Sequence, residues 1–315
     1  MDPSTPPPPP HPHHRRQPLP WHEPKSVEED PEAPARVGAI LASPSYREAD
    51  EDGDFLQADA TRGARLQLDY LKAELLFEEH RIHGTVVVLG STRIPEPAAA
   101  RRALAAARAR AAETPTDADL SRRLRIAERV LANSRYYEVA REFGRIVSEA
   151  TRHARDRRLV VVTGGGPGMM EAANRGAFDS GVPSVGLNIT LPHVQYPNPY
   201  VTPELCVRFH YFAVRKLHFL LRAKALVAFP GGYGTFDELF ETLALIQTRK
   251  VKPFPVILVG AEYWRRAFDV EFLASEGVID AEDRELFWTA EGAQEIWDGI
   301  RGWHELNGEP LFAVP

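Results

Sequence analysis

Phe229 to Glu241 reads FPGGYGTFDELFE, a glycine turn followed at once by carboxylates. Gly231, Gly232 and Gly234 have no Cβ, so a ligand can lie against bare backbone amides. Thr235 is expected to cap a helix whose first turn holds Asp237 and Glu238, where the helix dipole favours negative charge. Unpaired amides at such a helix start form an anion site, most often for phosphate. The carboxylates repel a phosphate unless one of them serves another part of the ligand. An anion cradle beside a carboxylate therefore suits a sugar phosphate: amides for the phosphate, carboxylate for hydroxyls or the reacting carbon. The plainer alternative is a tight strand-to-helix turn with a capped helix.

Such a turn needs a strand before it and a helix after it. Ala225-Leu-Val-Ala-Phe229 supplies an apolar strand, and Phe236, Leu239, Phe240, Leu243 and Ile246 recur at helical spacing. The same grammar appears upstream. Thr85-Val-Val-Val-Leu-Gly90 is an unbroken run fit for a strand covered on both faces, with Ser91, Thr92 and Arg93 just past its end. Leu159-Val-Val-Val-Thr163 leads into Gly164-Gly-Gly-Pro-Gly-Met-Met-Glu. That turn has neither the GxGxxG spacing of a dinucleotide site nor the GK[ST] of a P-loop, which weakens an NAD-binding or ATP-hydrolysing reading. Further strands are expected at 184–189, 206–209 and 254–259, and a helix carrying Arg215 and Lys216 follows the fourth strand. Six short strands with helices between them predict an α/β fold, a doubly wound, Rossmann-like parallel sheet. The last part of the chain, with Trp264, Phe287, Trp297 and Trp303, reads as helical cover.

The chain has 315 residues, 43% hydrophobic and 26% charged, with a formal net charge of −6. That balance gives no case for nucleic-acid or membrane binding. Cys206 is the sole cysteine, which excludes an intrachain disulfide and a cysteine zinc cluster and points to a reducing, cytoplasmic setting. No apolar run approaches a membrane span, and the N-terminus has no apolar signal region. Residues 1–55, opening MDPSTPPPPPHPHHRRQP, read as a disordered Pro-rich tail in which His11, His13 and His14 are solvated. Residues 56–310 read as one nucleotide-binding domain with a helical insert at about 95–135. The arginines of residues 95–158 suggest an RNA or phosphate patch, but Glu113, Glu128, Glu138, Glu142 and Glu149 are interspersed with them, the pattern of a solvated face. A helix over 61–80 is apolar on more than one face, which predicts a homo-oligomer, at least a dimer.

TGGGPGMMEAANRGA at 163–177, LPHVQYPNPY at 191–200, FAVRK at 212–216 and PGGYGTFDE at 230–238 resemble the LONELY GUY family over roughly residues 60–299. Many of its members were mislabelled lysine decarboxylases. Its characterised enzymes are phosphoribohydrolases that cleave the N-glycosidic bond of nucleoside 5′-monophosphates, among them cytokinin riboside monophosphates and AMP. The chain is similar to the longer bacterial branch, with an added N-terminal helix and an insert after the first strand. The resemblance implies Arg215 and Glu238 as the catalytic pair and a nucleoside monophosphate as the small-molecule partner, with no cofactor and no metal. It places substrate contacts on Lys216, Gly231, Gly232, Tyr233, Gly234 and Thr235, with Ser91, Gly165, Gly166 and Met170 lining the same cleft. Two positions depart from the family pattern: Val194 stands where relatives often have glutamate, and Ala244 where they often have threonine. Hydrolysis at the anomeric carbon passes through an oxocarbenium-like state, which asks for negative charge near the ribose, a positioned water and help for the departing base. Two rivals are a non-catalytic carrier of a phosphorylated ligand such as a pterin cofactor, and a pyridoxal-phosphate decarboxylase. The second needs a Schiff-base lysine, and no lysine here has a recognisable context for one.

Overall fold

Runs of β-branched residues fit a strand only where both of its faces are covered, and the middle of this chain is built that way. The computed structural model describes residues 9–19, 23–152, 158–192, 196–309 and 311–312, so Val194 lies outside the described residues. Two units emerge, residues 1–65 and 66–315. In the first, Ala33–Leu41 (α1) and Gly53–Gln57 (α2) are helical, within the segment that composition marks as lacking regular structure. The signals for them are local: Pro34 in the first turn of α1, and the Asp52 side chain accepting from the Phe55 amide (3.1 Å) to cap α2. Among the described residues of this unit Ala33 is the sole buried apolar side chain, so the unit has no core of its own.

The helix Arg62–Glu79 (α3) runs into the second unit and leads to β1 (Ile82–Leu89). Three helices follow, α4 (Pro97–Glu113), α5 (Ala118–Asn133) and α6 (Arg135–Arg152), the first two forming the expected insert. Then come β2 (Arg158–Thr163), α7 (Met169–Asp179), β3 (Val185–Ile189), β4 (Cys206–Phe209), α8 (Phe212–Leu220), β5 (Ala223–Ala228) and α9 (Tyr233–Gln247). The chain continues through β6 (Val256–Val259), α10 (Ala261–Ala267), α11 (Val270–Ser275), β7 (Trp288–Ala290) and α12 (Ala293–Leu306). All strands pair in parallel in the order β4-β3-β2-β1-β5-β6-β7. This is the doubly wound sheet that the sequence predicts, with one strand more than expected. β7 is only three residues long and pairs through Ile257 with Trp288 and Val259 with Ala290, too short to leave an alternating pattern in the sequence.

Side-chain alternation along β1 explains the two cores. Val86 and Val88 point into one with Tyr137, Phe143, Ala173 and Ile296 from α6, α7 and α12. Val87 and Leu89 point into the other with Phe77, Phe219, Leu239 and Trp264 from α3, α8, α9 and α10. The order reverses between β1 and β5, and at such a switch point an open α/β sheet leaves a crevice beyond the strand ends.

One glycine there is fixed by geometry. Gly168 has φ +73, and a Cβ on it would stand 2.3 Å from the Ser91 carbonyl oxygen. Gly168→Ala is expected to lower stability by about 3 kcal/mol, from left-handed strain plus a backbone clash that no rotamer relieves. Chemical denaturation measures this, and a loss below about 1 kcal/mol would mean the turn relaxes freely.

Candidate functional site

Three turns meet at the switch point and are stitched through their backbones. The Ser91 amide, after β1, donates to the Pro230 carbonyl after β5 (3.0 Å), and the Ser91 carbonyl accepts from the Met169 amide at the start of α7 (3.1 Å). The turn after β2 is held by buried polar side chains. The Asn198 amide donates to the Gly165 carbonyl (2.8 Å), and its Nδ2 donates to the Gly166 carbonyl (3.0 Å) and to Asn174 Oδ1 (3.0 Å). Asn174 also accepts from Thr163 Oγ1 (2.7 Å), which in turn accepts from the Gly165 amide (2.9 Å). Gly165 and Gly166 are therefore buried and spend their carbonyls on the scaffold, while Ser91 and Met170 remain half-buried. Sequence reasoning missed Asn174 and Asn198 as organisers of this turn. Asn198, between Pro197 and Pro199, is the single donor-rich side chain of a rigid loop segment, and that was the available signal.

The turn before α9 differs from its expectation in one respect. Thr235 is not the cap: α9 begins at Tyr233 with Gly232 at the N-cap, no side chain caps it, and Thr235 is buried in the first turn. Asp237 and Glu238 accordingly fall in the second turn. The physical reason lies at Gly231, where a Cβ would stand 2.1 Å from Thr235 Oγ1: the threonine packs back on the glycine rather than reaching for an amide. The first amides of a helix have no intrahelical partner, and without a side-chain cap they are left for a ligand. A Cβ on Gly232 or Gly234 would meet nothing within 4 Å, so the space before those amides is open. The Tyr263 hydroxyl donates to the Gly231 carbonyl and braces the turn from behind. The Tyr233 ring is 96% exposed.

Arg215 on α8 and Glu238 on α9 are in contact, Nη2 donating to Oε1 at 2.7 Å, with side chains only 11% and 14% exposed. The Arg215 guanidinium lies 4.7 Å from the Phe212 ring centre and 5.6 Å from that of Phe219. Its Nε is buried with no hydrogen-bond partner, a donor that a buried site normally fills. Burial pushes the Glu238 carboxyl up to about 7, against the pull of Arg215. Burial also draws the Arg215 guanidinium below its ordinary value, while Glu238 and Asp237 act the other way. Lys216 is turned to two other carboxylates, with Nζ 3.0 Å from both Asp237 Oδ1 and Glu241 Oε2.

α8 is held at both ends by α3. Asp69 accepts from the amides of His210 (2.8 Å) and Tyr211 (2.9 Å) ahead of the first turn. Glu74 takes a bidentate grip from Arg222 (2.7 and 2.9 Å) and lies 3.3 Å from His218 Nε2. These contacts fix where Arg215 stands, and nothing in a single sequence marks residues so far apart as partners. Along α9, Glu238 lies three to five residues beyond the open amides, roughly 5–8 Å at 1.5 Å per residue, a span on the scale of a pentose phosphate. The arrangement can hold an anion at one end and place a carboxylate with an arginine at the other.

Comparison with known proteins follows the same lines. A family model described as "Possible lysine decarboxylase" matches residues 170–300. A rice protein (Oryza sativa subsp. japonica) named "Probable cytokinin riboside 5′-monophosphate phosphoribohydrolase" is 28% identical over 149 residues, 45% of this chain and 67% of that one. A second rice protein of the same description is 30% identical over 145 residues, 45% of this chain and 62% of the relative. An Arabidopsis thaliana cytokinin riboside 5′-monophosphate phosphoribohydrolase is 28% identical over 94 residues, 30% of this chain and 41% of the relative. The matched stretch thus spans about two thirds or less of each relative. Among solved structures, the molybdenum cofactor binding protein of Rippkaea orientalis is 18% identical, covering 70% of this chain and 96% of that one at a TM-score of 0.41. The Moco carrier protein of Chlamydomonas reinhardtii is 18% identical, covering 71% and 98% at a TM-score of 0.41. The resemblance read from the motifs is thereby met by a family model and by named relatives at modest identity.

Proposed function

We propose that this chain hydrolyses the N-glycosidic bond of nucleoside 5′-monophosphates, releasing the free base and ribose 5-phosphate. The observation that carries the reading is the buried Arg215–Glu238 pair, at 2.7 Å, with Glu238 about one helical turn beyond uncapped amides at the switch point. The names of the rice and Arabidopsis relatives support the same substrate class. The amides of Tyr233, Gly234 and Thr235 take the 5′-phosphate, and Gly232 and Gly234 let it approach. Water adds to C1′ as the bond to the base breaks, and the bonding pair leaves with the base, which takes up a proton. Glu238, ionised, faces the positive charge that develops on the ribose and orients the water. Arg215 holds Glu238 in place, and its unpartnered Nε is free to donate to the leaving base or the ribose. Incubation with a panel of nucleoside monophosphates, with free base measured by chromatography, tests the activity and ranks the bases. Nucleotide binding without base release would instead make the chain a carrier.

Because the carboxylate is the working form and burial sets Glu238 at about 7, kcat/KM should rise with pH and level off above that value. Ionisation of the substrate phosphate gives a limb near 6, so the two are separable. The limb near 7 should vanish in Glu238→Gln, and its persistence there would assign it to another group.

The assembly is proposed from exposed apolar surface. Leu68, Leu71 and Leu75 on α3 are 54%, 39% and 61% exposed, with Phe212, Leu217 and Leu221 exposed on and beside α8. A surface of this kind fits a second copy of the chain. Light scattering at micromolar concentration should give at least a dimer, and a monomeric mass would refute it.

A further inference from the structure

The insert after β1 does more than add length. The end of α5 and the start of α6 close a cavity of about 620 Å³ against α9 and α10, within the range of small-molecule sites. It lies on the side of α9 away from the catalytic pair: Phe236 lines it, and residues two apart on an α-helix face roughly opposite ways, about 200° around the axis. Three arginines, Arg129, Arg135 and Arg266, are among its lining residues, with one acidic residue, Glu262. Arg135 is partly engaged, donating to Tyr136 Oη (2.7 Å) and standing 3.6 Å from Glu291. Arg129 and Arg266 make no hydrogen bond or ion pair among the described residues. The chain as a whole is negative, at −6, so a pocket lined by more arginine than carboxylate runs against its overall balance. Three arginines gathered at one pocket against a single lining carboxylate favour an anion there, and the guanidinium fork matches phosphate oxygens.

We propose that this cavity is a second ligand site, for a triphosphate-bearing molecule. It differs in kind from the amide cradle, since its anion contacts are side-chain charges and its wall carries a net excess of positive charge suited to a multiply charged ligand. Phe236 and Tyr263 add an aromatic surface on which a base can rest. The two sites share one structural member, because Tyr263 lines the cavity and also braces the glycine turn through the Gly231 carbonyl.

Titration calorimetry on the full chain tests it with two probes: inorganic tripolyphosphate, which offers the charge alone, and ATP, which adds a ring. Both should bind the parent, and the double variant Arg129→Ala/Arg266→Ala should weaken both by about tenfold or more. Gly232→Val, which fills the space before the amides of the turn, should leave tripolyphosphate binding unchanged. ATP binding more tightly than tripolyphosphate, with the same arginine dependence, would identify a nucleotide; equal affinity would identify free polyphosphate. Absence of binding, binding indifferent to the two arginines, or binding lost in Gly232→Val would overturn the proposal. AMP hydrolysis by the arginine variant should match the parent, so the outcome is independent of the activity proposed above.

Discussion

Glu238→Gln is expected to reduce turnover of nucleoside monophosphates by roughly 100- to 1,000-fold, the usual cost of removing a preorganised electrostatic contact from a transition state. The substitution keeps the shape, and the amide oxygen can still accept from Arg215 Nη2, now 2.7 Å from Oε1. What it removes is the negative charge, which matters only once the ribose becomes cationic. On the proposed reading ground-state binding rests on the amides of the first turn of α9, so KM should change far less than kcat. A fall in kcat/KM driven mainly by KM would move Glu238 from the reacting carbon to ground-state recognition, and parent-like kcat would remove it from the chemistry.

Gly232→Val is expected to act on the other half of the site. The residue has φ −102, an ordinary value for any side chain, and its Cβ would meet no protein atom within 4 Å. The fold and the Arg215–Glu238 contact should therefore survive, and melting temperature should stay near that of the parent. The isopropyl group would occupy the space where a phosphate meets the amides. Loss of charge-assisted hydrogen bonds at 1.5–3 kcal/mol each predicts binding weaker by roughly 10- to 100-fold. Gly231→Ala is a different case, because its Cβ would stand 2.1 Å from Thr235 Oγ1 and distort the turn itself. Calorimetric titration of AMP into Gly232→Val checks the claim, and unchanged affinity would place the phosphate elsewhere.

The sheet was legible because burial on both faces leaves its mark in composition. Val86 to Leu89 alternate between two cores, so every position is apolar. The glycine turns were legible because close backbone approach restricts the residue type. The cap of α9 was misjudged because a threonine near a helix start usually caps it, whereas this one is drawn into contact with Gly231. Asp69 and Glu74 could not be seen at all, and Asn198 was marked only by the prolines on either side of it. Their partners lie far off in the chain: Asp69 meets His210 and Tyr211, Glu74 meets Arg222, and Asn198 meets Gly165 and Gly166. Polar contacts across such distances follow from the fold and leave no periodicity. The arginine-lined cavity was hidden for a related reason. Arg129, Arg135 and Arg266 are ordinary surface residues in sequence, and the fold gathers them by bringing the end of α5 and the start of α6 beside α10.

The account turns on one bond. Purified chain incubated with AMP at pH 8, above the value of about 7 set for Glu238, should release adenine and ribose 5-phosphate in equal amounts, with Glu238→Gln releasing both at the same greatly reduced rate. AMP recovered intact from a parent protein that binds it through the glycine turn would contradict the hydrolase reading and leave a nucleotide carrier in its place.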